Sequence, residues 1–301
     1  MHSLPAEPPL PLVAGLDERS SRRSRLLADP TDGHYRRPRI LGNPLDLASD
    51  PYLPKPLTLI EMKEAQGRLG LKERRLYNLL LALSWDRLAD PCDHGIFAAR
   101  AADLRRACGL AARDNRGLRE SLERLVETEV VFEQLVAGDI NDGRAPLLAG
   151  MSLPRGNETV EWEFPTNLRP YIAAPARWAK ISLRASASFC SGYALALYER
   201  LSLLWGLDHP RWSVNISELR EALGAVDALG GWHAFYRRVI GPGLDEIERA
   251  APFRAFCEPV RESGSRRVVR LIFGVEPRAR RSGPLLRPCR IVPPRPPWKA
   301  G

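Results

Sequence analysis

The residues best suited to a chemical task in this chain are arginines set on one helix. In HAFYRRVIGPGLDEIERAA, residues 233–251, His233, Arg237 and Gly241 recur every four residues. At about 100° per residue they share a face, with Ala234 and Arg238 beside it. Phe235, Val239 and Pro242 cluster on the other face and are the expected core stripe. Arginine can grip O6 and N7 of guanine bidentately, and a small residue lets the helix approach base edges closely. His233, Arg237, Arg238 and Gly241 are therefore candidate DNA contacts. The turn RESGSRR adds Arg261, Arg266 and Arg267, suitably placed for backbone phosphates. Adjacent arginines on an exposed helix are most often merely solvated, so the case depends on the elements that carry them.

Other chemistries lack their residues. No GxxxxGK[ST], HExxH, CxxC or GxSxG occurs, which removes the usual signatures of a phosphate-binding loop, a zinc hydrolase, a redox pair and a serine nucleophile. The five histidines are dispersed without metal-ligand spacing, and Cys92-Asp93-His94 is the only close Cys/His group. No catalytic residue, metal or cofactor is expected. Five cysteines, an odd number set far apart, suggest reduced, mostly buried thiols in a cytoplasmic protein. No apolar run approaches the roughly 18 residues of a membrane span. The N-terminus, with Glu7 and several prolines before any apolar run, does not read as a secretory signal.

The elements around the arginine helix form a recognisable order. GYALALYERLSLLW is a helix, WSVNI an alternating strand, and NISELREALG a helix with Asn215 and Glu218 at capping-box spacing and Gly224 at its end. The arginine helix follows, then FRAFCEPV and RRVVRLIFGV as a hairpin. Helix, strand, helix, helix and hairpin make a winged helix, in which the third helix enters the major groove. The same order appears earlier: LKERRLYNLLLALSWDRL, IFAA, ADLRRACGL, NRGLRESLERLVETE, then VVFEQLV and strands flanking the loop LPRGNE. TLIEMKEAQGRL is read as a further helix. The fold class is thus α+β, tandem winged-helix domains with disordered tails. The expected limits are an arm at 1–55, a first winged helix at 56–165, a second at 166–275 and an Arg/Pro-rich tail at 276–301. PTNLRPYIAAPARWAK, punctuated by three prolines, reads as the linker between the domains.

Charge divides the two domains. The chain carries a net +9, and residues 276–301 hold seven basic residues against one acidic. That excess points to a polyanion contacted from the C-terminal side, with RRPR and SRRSR in the arm as further phosphate candidates. In the third helix of the first domain Leu118, Leu122 and Leu125 mark the core face, which turns Arg116, Glu120, Glu123 and Glu127 outward. Carboxylates there would be repelled by phosphates, so partner binding, dimerisation or peripheral phosphate contact through Arg113, Arg116, Arg119 and Arg124 suits this domain better than base reading.

SGYALALYERL, WSVNISELREALG, FYRRVIGPGLDEIE and the hairpin ending RRVVRLIFGV resemble, in order and spacing, the C-terminal half of the iteron-binding plasmid replication initiators, the Rep type with two winged helices. Gly243 stands where the pattern has alanine. The resemblance implies a protein that binds directly repeated double-stranded DNA sites at an origin as a monomer and opens adjacent AT-rich DNA. It further implies help in recruiting the host replication initiator and replicative helicase, and a homodimer, in equilibrium with the monomer, that represses its own promoter. It implies no catalysis and a bacterial cytoplasmic setting. A winged-helix transcriptional repressor and a protein-binding scaffold remain the alternatives.

Overall fold

The computed structural model describes residues 28, 35–65, 69–90, 95–111, 114–136, 139–154, 158–225, 230–262, 264–265 and 267–278. Two winged helices are built on one shared hydrophobic core.

In the first domain α1 (Leu57–Glu61) and β2 (Lys63–Glu64) precede α2 (Leu71–Ser84), β3 (Ile96–Arg100), α3 (Ala101–Cys108) and α4 (Asn115–Glu127). The helix expected across TLIEMKEAQGRL stops after five residues, because Met62 turns to ψ 145° and the chain enters β2. Gly109 closes α3 at φ 72°, a left-handed cap that glycine takes without a Cβ penalty. Asp114 caps α4 by accepting from the Gly117 N–H at 2.7 Å. Leu118, Leu122 and Leu125 are fully buried, as their spacing predicts.

The strands that follow α4 differ from expectation. β4 (Glu129–Val136) pairs with β5 (Asp139–Pro146), and β2 lies on the other edge of β4. β5 reads DINDGRAP, too polar to look like a strand, and backbone pairing rather than side-chain burial holds it. The wing is the next pair, β6 (Gly150–Ser152) and β7 (Thr159–Glu163), which complete a sheet with β3 in the order β3-β7-β6. The β4–β5 hairpin is thus inserted between third helix and wing.

The second domain comprises α7 (Gly192–Ser202), β9 (Arg211–Asn215), α8 (Ile216–Ala222), a third helix over residues 232–250, and the wing β10 (Phe253–Arg261) and β11 (Val268–Pro277), with sheet order β10-β11-β9. The capping box at Asn215 and Glu218 is formed.

The described part of the expected arm, residues 35–55, and the expected linker are built into the fold rather than loose, while residues 1–27 and 29–34 of the arm, with SRRSR, lie outside the described residues. β1 (Tyr52–Pro56), at the end of the expected arm, pairs antiparallel with β8 (Trp178–Ser182), which begins in the expected linker, and α5 (Arg169–Ala173) and α6 (Leu183–Ser188) flank β8. Upstream, Arg37 donates to the carbonyls of Ala173 and Trp85 and lies 4.4 Å over the Trp85 ring. Trp85 Nε1 in turn donates to Pro38 O at 2.8 Å. An arginine expected to face phosphate therefore closes the first domain. Proline punctuation misleads in the linker because Pro170 sits in the first turn of α5, where a missing N–H costs no helical bond, and Pro54 and Pro56 likewise sit in a two-stranded sheet.

The domains meet through polar groups that are almost entirely buried. Lys55 Nζ on β1 donates to Glu199 Oε2 on α7 and to Asn78 Oδ1 on α2, each at 2.9 Å. Asn78 Nδ2 donates to the other Glu199 oxygen at 2.6 Å. Arg75 on α2 donates to the carbonyls of Ser186, Ala187 and Phe189 ahead of α7. Burial lowers the Lys55 pKa against the raising effect of Glu199, and lowers that of Arg75 to about 10.

One cysteine departs from the expected reduced state. Cys190 is disulfide-bonded, with its partner outside the described residues, while Cys108 and Cys257 are free.

Candidate nucleic-acid interface

The third helix of the second domain is three pieces in continuous succession: α9 (Trp232–Phe235), a π turn (Tyr236–Ile240) and α10 (Gly241–Ala250). In the π turn the Gly241 N–H donates to Tyr236 O, five residues back. A wider turn relieves the clash that a Pro242 ring would make with a carbonyl four residues before it, and Pro242 has no N–H to lose. The extra residue also rotates everything downstream by about one residue's turn. The core stripe runs Phe235, Val239, Ile240, Gly243, Ile247, and Pro242, expected inside, is exposed.

Neighbouring elements hold this helix in place. An alanine Cβ built on Gly243 would lie 3.4 Å from Leu197 Cδ2 and 3.7 Å from Ala194 Cα, so α10 and α7 approach closely there. Glu246, buried on α10, accepts from the Cys190 N–H at 2.6 Å and the Ser191 N–H at 3.4 Å ahead of α7. Arg220 of α8 lies 4.4 Å over the Phe235 ring and donates to Gly230 O at 2.7 Å.

His233, Arg237 and Arg238 are exposed. Neither Arg237 nor Arg238 forms an ion pair among the described residues. His233, Arg237, Gly241 and Pro242 line an open concavity on the helix surface, together with Ala234, Tyr236 and Asp245. Gly241 is half-buried rather than bare, because the Tyr236 ring lies against it. Arg261 and Arg267 are exposed at the end of the wing, where the register shifts between Val260 and Arg261. Arg266 lies outside the described residues, as does Arg113.

In the first domain α4 presents Arg116, Glu120, Glu123, Arg124 and Glu127 to solvent. Arg116 is committed to Glu120, one turn along, at 2.7 Å. Arg119 donates to Leu153 O and so supports the wing rather than an outside partner. The two third helices are chemically unlike: one exposes Arg237 and Arg238 with no ion pair among the described residues, the other sets Arg116 and Arg124 among carboxylates, with Arg116 paired.

Tyr236, exposed at 41%, is a further candidate that periodicity did not single out. It lies one residue past buried Phe235, and its ring is turned to solvent. Among the described residues no cluster of His, Cys, Asp or Glu could hold a metal, and no helix is long and apolar enough to cross a membrane.

Two three-stranded wings, each set behind a three-helix unit, place the chain in the class of tandem winged-helix proteins. More particularly, residues 60–202 match the family model described as initiator replication protein, first winged-helix domain. Among solved structures, the Pi initiator protein in complex with iteron DNA is 17% identical, with a TM-score of 0.50 covering 71% of this chain and 96% of that one. Selenomethionine derivatives of domains 2 and 3 of RctB give 11% identity and a TM-score of 0.44, covering 85% of this chain and 95% of that one. The first likeness shows a shared fold. No curated protein sequence matches the chain.

Proposed function

We propose that the protein initiates plasmid replication by binding directly repeated DNA sites, iterons, at the origin and promoting opening of the adjoining duplex. The observation that carries this is the pairing of an initiator-type first domain with a second winged helix whose third helix exposes Arg237 and Arg238, neither in an ion pair among the described residues. The solved Pi initiator of similar fold is described as bound to iteron DNA, which supports the same ligand class here. Arg237, Arg238 and His233 read bases in the major groove, Arg261, Arg266 and Arg267 contact phosphates, and Arg113 and Arg116 of the first domain contact the backbone at the periphery. The tail beyond residue 276 adds sequence-independent affinity. The protein acts without catalysis or cofactor in the bacterial cytoplasm. A homodimer exchanges with the binding monomer, and the bound monomer cooperates with the host initiator and replicative helicase.

Footprinting of the full chain on the DNA flanking its own gene tests this reading. Several evenly spaced protected repeats are expected. A single protected inverted repeat would make it a repressor, and salt-sensitive coating with no discrete protection would end the DNA-reading assignment.

A further inference from the structure

Of the aromatic pair on the arginine helix, Trp232 packs against the core and Tyr236 stands outside it. Tyr236 is 41% exposed, the Trp232 ring lies 5.3 Å away between centroids at 53°, and both precede Arg237 on the same stretch of helix. On its other side the Tyr236 ring runs along the backbone at Gly241: a Cβ there would come within 3.7 Å of Tyr236 Cε1. Trp232 and Gly241 thus hold the ring as a plate in the same concavity that carries His233, Arg237 and Pro242. The π turn creates this arrangement by placing residue 241 beneath residue 236, five positions apart.

A pre-set apolar plate next to a free guanidinium matches one feature of the major groove. Base edges there offer donors and acceptors, and the 5-methyl of thymine is the apolar group among them. A phosphate would gain little from a ring face; it would meet the phenol O–H alone, a contact that Tyr236→Phe removes while leaving the ring. We propose that Tyr236 is a specificity-determining residue whose ring packs on the methyl of a thymine neighbouring the base pair gripped by Arg237. The inference rests on the DNA-reading function proposed above and names what that helix recognises besides guanine.

The test uses the full chain and a duplex selected by it from random-sequence DNA. Each thymine of the selected site is replaced in turn by deoxyuridine, which removes only the methyl. With the wild-type chain, one replacement near the guanine lost on Arg237→Ala is expected to weaken binding by about fivefold. Tyr236→Phe, which keeps the ring, retains that sensitivity. Tyr236→Ala binds thymine and uracil sites alike, while its preference for the guanine and its melting temperature stay near wild type.

If no thymine is sensitive with the wild-type chain, the inference is overturned without recourse to any variant. It is also overturned if Tyr236→Ala keeps the sensitivity or loses affinity equally on all sequences, which would place the ring at the backbone. In each of these outcomes a selected site still stands, so the DNA-reading function survives. Failure to select any sequence would remove that function and this inference together.

Discussion

Arg237 stands exposed on the helix surface with no ion pair among the described residues, so its guanidinium is free to exchange water for a base edge. A bidentate arginine–guanine contact is worth about 1–3 kcal/mol of discrimination. Arg237→Ala should lose about that much on the selected site and relax preference at one base pair, as competition binding with single-base variants would reveal. Equal weakening on every sequence would mean a phosphate contact. Tyr52 offers a test unconnected with DNA. Burial first, then the Asp50 carboxylate it donates to at 3.1 Å, pushes its pKa up to about 12. A raised pKa contributes stability that is present below the unfolded value of about 10 and lost as pH climbs toward the folded one. Denaturant midpoints should therefore fall more steeply for wild type than for Tyr52→Phe between about pH 10 and 12. Parallel slopes would refute the assignment. The types of these residues are plain in the chain. Their surroundings are not: Tyr52 lies in a stretch that composition marks as an unstructured arm.

At the scale of elements, the third helix of the second domain is legible in part. Phe235 and Val239 fall on the buried face that helical spacing assigns them. Pro242 does not, because one π turn shifts the phase and Gly243 takes its place in the core. A π insertion leaves no mark in periodicity; only a proline poorly suited to a regular helix hints at it. Gly243 offers the matching prediction. An alanine Cβ would meet Leu197 at 3.4 Å and Ala194 at 3.7 Å, ordinary contact distances, and the residue lies inside a helix. Gly243→Ala should raise stability by about 0.4–1 kcal/mol through the unfolded chain's lost freedom. A lowered melting temperature would show that the α7–α10 contact cannot give even slightly. The β4–β5 hairpin carries the opposite lesson, since DINDGRAP forms a strand through backbone pairing that no side-chain pattern announces.

Across the whole molecule the two winged helices behave as one body, because β1 pairs with β8 and Lys55, Asn78 and Glu199 satisfy one another at the junction. Removing one partner of a buried ion pair costs about 3–5 kcal/mol, since the other charge is stranded. Lys55→Met is expected to cost about that in denaturant unfolding. Adding Glu199→Gln, which neutralises the stranded charge but can still pair with Asn78, should recover most of it. Little loss from Lys55→Met alone would show the junction to be solvated. The sequence by itself determined the helices, the second domain's wing, the capping box and the arginine face, because those follow from local periodicity, turn chemistry and charge. Only the tertiary structure decided which arginines are free, that the arm and linker form one sheet, that Lys55 is buried, and that Tyr236 faces out. Each of these depends on which distant segment a residue meets, and a linear pattern contains no distances between segments.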